Sequence, residues 1–140
     1  MFLLYYKDGC FFSKNAENLL SLYNLSFQKI IVSDNNAIRS SLLLKPYYHH
    51  TMPAIFFYND ITSEDTLLMT NTCIPENSKF IGGYDKLNNL MSKILSLTNN
   101  NIKQMYEEYK IVDGRLNYVD FLIIATYIIE IVRKKKELHI

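Results

Sequence analysis

The sequence predicts an α/β fold, a sheet flanked by helices, with a C-terminal helical extension. Three observations lead there. Short apolar runs alternate with segments of helical period through the first half of the chain. A double glycine, Gly82–Gly83, separates one more brief strand from an amphipathic helix. The stretch "TNNN", 98–101, then breaks the pattern, and a pair of helices follows. The expected division is residues 1–97 as one domain and 98–140 as the extension.

The elements follow in order. Phe2 to Tyr6 reads as a short buried strand. Phe12, Ala16, Leu19, Leu20 and Tyr23 recur at the spacing of one helix face. "SFQKIIV", 26–32, reads as the second strand, and "SDNNAIRSSLLLK", 33–45, as a shorter helix with Ser33 or Asp34 as its cap. Pro46 closes that helix. The apolar end of "HHTMPAIFFY", 49–58, is the third strand, and strands so spaced by helices imply parallel pairs. Residues 59–77 are polar and predict a loop or hairpin. In "KFIGGYDKLNNLMSKIL" a strand and a double-glycine turn lead to a helix faced by Leu87, Leu90, Met91, Ile94 and Leu95. Two helices, roughly 101–110 and 117–135, flank "VDGR". The second is apolar on nearly all sides from Phe121 to Val132, so either the first domain or another chain must cover it.

Composition narrows the function. About half of the 140 residues are apolar (49%), which suits a domain with a real core. Fifteen Lys and Arg against fourteen Asp and Glu give a net charge of +1, so no nucleic-acid partner is expected. The basic run Arg133 to Lys136 reads as a solvated helix end. The start "MFLLYYKDG" lacks the basic and long apolar regions of a signal peptide, and the longest uncharged apolar stretch, Phe121 to Ile129, is short of a membrane span. The expectation is a cytoplasmic protein that uses no membrane and keeps both of its cysteines reduced.

One of those cysteines, Cys10, stands at the mouth of the first helix in "YYKDGCFFSKNAENLL". Unpaired N–H groups and the positive end of the helix dipole favour thiolate there. Lys7 adds to that effect and Asp8 opposes it. From this stretch alone two readings stand: a small buried apolar residue, or a thiol activated by the helix end.

The remainder of the sequence favours activation. "YYKDGCFFS", "TMPAIFF" and "IGGYDKL" occur in the order in which the glutaredoxin family carries its active-site C-P-Y-C or C-x-x-S motif preceded by Y-x-K, its T-V-P element with a cis proline, and its G-G-x-D element. The chain resembles that family over residues 1 to about 97. The resemblance implies a thioredoxin-like sheet and glutathione as co-substrate. Cys10 resembles the nucleophile, and Lys7 the lysine that pairs with a glutathione carboxylate. Phe12 stands where the family often has a tyrosine beside the glutathione sulfur. Thr51 and Met52 resemble the backbone edge for the cysteinyl unit, and Pro53 the cis proline. Gly83, Tyr84 and Asp85 resemble the segment that holds the γ-glutamyl end, with the Asp85 carboxylate facing the ammonium. The residue chemistry agrees: a tripeptide with two carboxylates and one ammonium needs cationic and anionic sites and a bare backbone edge. Taken singly, Pro53 is equally a strand start, Gly82–Gly83 an ordinary loop and Asp85 a helix cap.

Ser13 occupies the place of a second cysteine and cannot form a disulfide. Cys10 alone can still take glutathione from a glutathionylated protein or a small disulfide and be resolved by a second glutathione. That is monothiol chemistry, with Ser13 hydrogen-bonding the thiolate or capping the helix. Cys73, in the 59–77 segment, reads as idle rather than as a resolving thiol. An alternative follows from the iron–sulfur branch, which uses C-G-F-S and shares a [2Fe–2S] cluster through glutathione. Phe11 replaces that branch's glycine, and its tryptophan–proline element is missing. A redox-inert adaptor is the third reading, with partner or self-association through the C-terminal helices. His50 is a flanking basic group and Arg39 a helper for a carboxylate. His49 and His50 do not share a direction on an extended chain, so no metal site is expected. "YKIVDGRLNYVDF", 109–121, resembles a calcium loop, but Tyr109 and Ile111 occupy ligand positions that need oxygen. It reads as a packing unit.

Overall fold

Five consecutive apolar residues, Phe2–Tyr6, form the first strand, β1, and all five are buried. A computed structural model describes residues 1–33, 36–59, 74–96, 101–112 and 115–138. The other strands are β2 (Phe27–Ile31), β3 (Ala54–Tyr58) and β4 (Ser78–Gly82). The helices are α1 (Phe11–Leu22), α2 (Ala37–Leu42), α3 (Tyr84–Leu95), α4 (Ile102–Val112) and α5 (Tyr118–Leu138).

The sheet order is β2-β1-β3-β4. β1 and β2 run parallel, with Phe2 opposite Phe27 and Tyr6 opposite Ile31. β3 lies antiparallel to β1, with Phe2 opposite Phe57, and β4 lies antiparallel to β3. The expectation of parallel pairs therefore holds for one pair only. Alternation of strands and helices permits crossovers but leaves the direction of each return open. Here Leu43 to Tyr48 turns the chain back, with Tyr48 at a positive φ of 45°. Together these features make a thioredoxin-like α/β fold with extra C-terminal helices.

Side chains alternate across the pleat and build two cores. Phe2, Leu4, Tyr6, Ile55 and Phe57 face α1, α3 and the C-terminal helices. Leu3, Tyr5, Ala54, Phe56 and Tyr58 face Ile38 and Leu42 of α2. α2 is shorter than the 33–45 span expected. Its N-cap is Asn36, whose side chain accepts from Ile38 N–H at 2.8 Å, rather than Ser33; Asp34 lies outside the described residues. The 59–77 loop falls largely outside them too, as does Cys73.

The apolar girth of α5 is explained by its position. Phe121, Ile124, Ala125 and Ile128 are fully buried in the larger core, and Tyr127 packs its ring against Phe2 and Phe57. At ~1.5–3 kcal/mol for each large apolar side chain buried, the extension is held by several kcal/mol. Tyr109 is buried against Phe121, and its hydroxyl accepts from Leu116 N–H at 3.2 Å, as a packing unit requires. Among the described residues no helix is long and apolar enough to cross a membrane.

Candidate active site

The site is built where β1 hands over to α1. The turn between them uses Gly9 at φ 78°, a conformation that favours glycine. Cys10 N–H donates to Lys7 O at 3.1 Å, and Cys10 becomes the N-cap of α1. Its side chain is half-buried, and its Sγ lies 3.6 Å from Met52 O. Ser13 is fully buried below it, and its Oγ accepts from Lys7 N–H at 3.2 Å. Phe11 and Phe12 point outward, 71% and 52% exposed, so the helix mouth presents two rings to solvent.

Opposing influences act on the Cys10 thiol. Burial pushes its pKa up. The backbone and hydroxyl of Ser13, the backbone of Phe12 and the charge of Lys7 push it down, and together they win, leaving it below an ordinary thiol. No cap hydrogen bond is closed by the side chain, so the thiol donates toward Met52 O while Ser13 and Phe12 serve the thiolate. The half-exposed side chain and the lowered pKa lie in the direction that activation by the helix end predicts.

The wall opposite Cys10 comes from the start of β3. The Met52–Pro53 peptide is cis, and Met52 is buried while Thr51 is exposed. His49 secures this turn: its Nε2 lies 2.9 Å from Pro53 O. Burial lowers the His49 pKa, the Pro53 hydrogen bond opposes that, and the charges of Arg115, His50 and Arg39 lower it further, so the ring is neutral near neutral pH.

Two adjoining cavities share Phe12, Thr51 and Met52. The one beside the thiol, of about 420 Å³, has Lys7, Cys10, Arg39 and His50 in its wall. The other, of about 320 Å³, has His49, Gly83, Tyr84, Asp85 and Arg115. They form one groove with cations at both ends and a carboxylate in each half, Asp8 beside the thiol and Asp85 in the far half. Of the two glycines there, Gly82 alone takes a positive φ, 127°, whereas Gly83 is extended at φ −88° and caps α3. The freedom expected of both belongs to Gly82. A Cβ on Gly83 would stand 3.6 Å from Pro53 O, so the two turns approach closely.

Of the residues that the sequence singled out for the site, Lys7, Cys10, Phe12, Thr51, Met52, Gly83, Tyr84 and Asp85 line this groove, with Arg39 and His50; Ser13 is buried beneath Cys10, and Pro53 follows Met52 across the cis bond. Lys86 and Arg115 were missed, and His49 was weighed only as a metal ligand. For Arg115 the sequence carries no signal, since nothing local places it beside Gly83. Among the described residues no cluster of His, Cys, Asp and Glu could hold a metal ion.

A half-buried thiol at a helix N-terminus, facing a cis proline on a thioredoxin-like sheet, defines a thiol–disulfide exchange architecture. The glutaredoxin family model matches residues 2–61, from β1 to just past β3. That span includes Cys10 and Pro53, and it stops before Gly83, Tyr84 and Asp85. No curated protein matches the chain.

Proposed function

We propose that the chain is a glutathione-dependent thiol–disulfide oxidoreductase that works by a monothiol route through Cys10. One observation carries the reading: a thiol held below its ordinary pKa opens onto a groove with cations at both ends, Asp8 beside the thiol and Asp85 in the far half. That pattern complements the two carboxylates and one ammonium of glutathione. In this reading Lys7, beside Arg39, takes the glycyl carboxylate. The main chain at Thr51 and Met52 takes the cysteinyl unit, with Pro53 fixing that edge. Gly83 and Tyr84 offer backbone N–H groups to the γ-glutamyl carboxylate, and Asp85 takes the ammonium. Phe12 covers the sulfur.

The Cys10 thiolate attacks the glutathione sulfur of a glutathionylated protein or small disulfide. The S–S bond breaks, its electron pair leaves with the client thiolate, and Cys10 holds glutathione as a mixed disulfide. The thiolate of a second glutathione attacks that glutathione sulfur, releasing oxidised glutathione and regenerating Cys10. One free glutathione thiol is oxidised for each client thiol released: the mixed disulfide and one glutathione become the client thiol and oxidised glutathione. Buried Ser13 supplies a hydroxyl where a resolving thiol would stand, so no disulfide can close within that first turn of α1. The cytoplasm, where glutathione is kept reduced, suits this cycle.

The test is turnover of a glutathione mixed disulfide. Wild type is expected to be active, Cys10→Ser at least about 100-fold slower, and Cys73→Ser unchanged. An active Cys10→Ser protein sinks the reading, and an inactive Cys73→Ser protein replaces the monothiol route with a two-thiol one. Reconstitution with iron, sulfide and glutathione should leave the protein colourless; a brown product would favour the cluster-carrier alternative.

A further inference from the structure

We propose that Arg115, carried by the C-terminal extension, binds the carboxylate of the substrate's γ-glutamyl end and so sets preference for glutathione over thiols that lack it. The inference rests on the glutathione reading above and adds a contact from outside the matched segment 2–61.

Arg115 lies between α4 and α5, yet it lines the same cavity as Gly83, Tyr84 and Asp85. Its guanidinium sits over the Phe80 ring, with Cζ 4.8 Å from the centroid. Phe80 is itself fixed by Phe56, Tyr47 and His49, at centroid distances of 4.9, 5.2 and 5.4 Å. A cation–π contact holds a guanidinium near the ring without using up its N–H donors, which remain able to match a carboxylate fork. The ring therefore pre-orients the cation at the cavity wall. Charge fits as well. An α-amino-acid terminus bears one ammonium and one carboxylate. Asp85 answers the first; the second meets the N–H groups at Gly83 and Tyr84, and of the two cations in that wall, Lys86 and Arg115, Arg115 is the one with a planar fork to add to them. Arg115 also borders a neighbouring hollow that contains Glu76 and Asp120. Were its role only to hold the extension against those acids, it would be indifferent to the substrate's carboxylate.

Two substrates separate these roles. One is a glutathione mixed disulfide. The other is the same disulfide built on 4-aminobutanoyl-cysteinylglycine, which keeps the ammonium and lacks the carboxylate. Arg115→Ala is expected to raise KM for the first about three- to tenfold with kcat unchanged, and to leave KM for the second at the wild-type value. Arg115→Lys, which keeps the charge but loses the fork, should fall between. Equal effects on both substrates, or no change in KM for glutathione, overturn the proposal. If Arg115→Ala fails to fold, the Lys variant decides: a KM penalty confined to the glutathione substrate supports the contact, and an equal or absent penalty refutes it. A wild type inactive on both substrates would defeat the underlying reading instead, and the Cys10 experiment detects that separately.

Discussion

At Cys10 the fate of one proton is decided by small groups within the first turn of α1. Ser13 matters doubly. It favours the thiolate, and its Oγ accepts the Lys7 amide, tying the end of β1 to the helix. Ser13→Ala is therefore expected to move the Cys10 pKa back up. The pH–rate profile should shift to alkaline pH, with a loss on the order of tenfold at neutral pH, as removal of a hydrogen bond to a charged group implies. Thiol titration by absorbance or alkylation rate checks it. The same shift has a stability consequence of fixed sign. The folded thiol pKa lies below the unfolded one, so its contribution is present at alkaline pH and is lost as pH falls through the folded pKa. Cys10 and Ser13 were legible in the sequence because they stand one helical turn apart at the start of α1, and Lys7 because it lies three residues ahead in the same short stretch. His49 was not, since its bond to Pro53 O depends on how the turn before β3 folds.

The elements meet at turns whose chemistry differs more than their spelling. Gly82 and Gly83 look interchangeable in sequence. A Cβ on Gly82 would lie 2.7 Å from Lys86 Cγ, at a φ that L side chains rarely adopt. On Gly83 it would find ordinary contacts. Gly82→Ala is expected to destabilise the fold by about 1–3 kcal/mol, and Gly83→Ala by about 1 kcal/mol or less, as read from denaturant midpoints. Gly83→Ala should show itself instead in weaker glutathione binding, because the added methyl borders the cavity. The strands and helices themselves were readable from periodicity. Strand direction was not. The return through Leu43 to Tyr48 is set by local turns and by Tyr47 packing on Phe56 and Phe80, contacts distant in sequence.

Across the whole molecule, the extension shares the core of the sheet rather than standing beside it. Phe121 is fully buried among Tyr106, Tyr109 and the larger core. Phe121→Ala should cost about 3–5 kcal/mol of unfolding free energy and lower the melting temperature of the entire chain in one transition. Two separate transitions would mean that 1–97 and 98–140 behave as independent units. The sequence marked the extension's helices but not their destination, because an all-round apolar helix fits its own domain or a partner equally well. The final consequence concerns width. The Tyr127 hydroxyl accepts from Ser26 N–H at 3.0 Å just ahead of β2, while Arg115 and Asp120 reach Phe80 and Lys79 on β4. Those two strands are the outer borders of the sheet, so the tail acts as a crossbar from one border to the other. A segment that ties both borders restrains their separation, and through Arg115 it also reaches the wall of the groove, far from the sulfur along the chain.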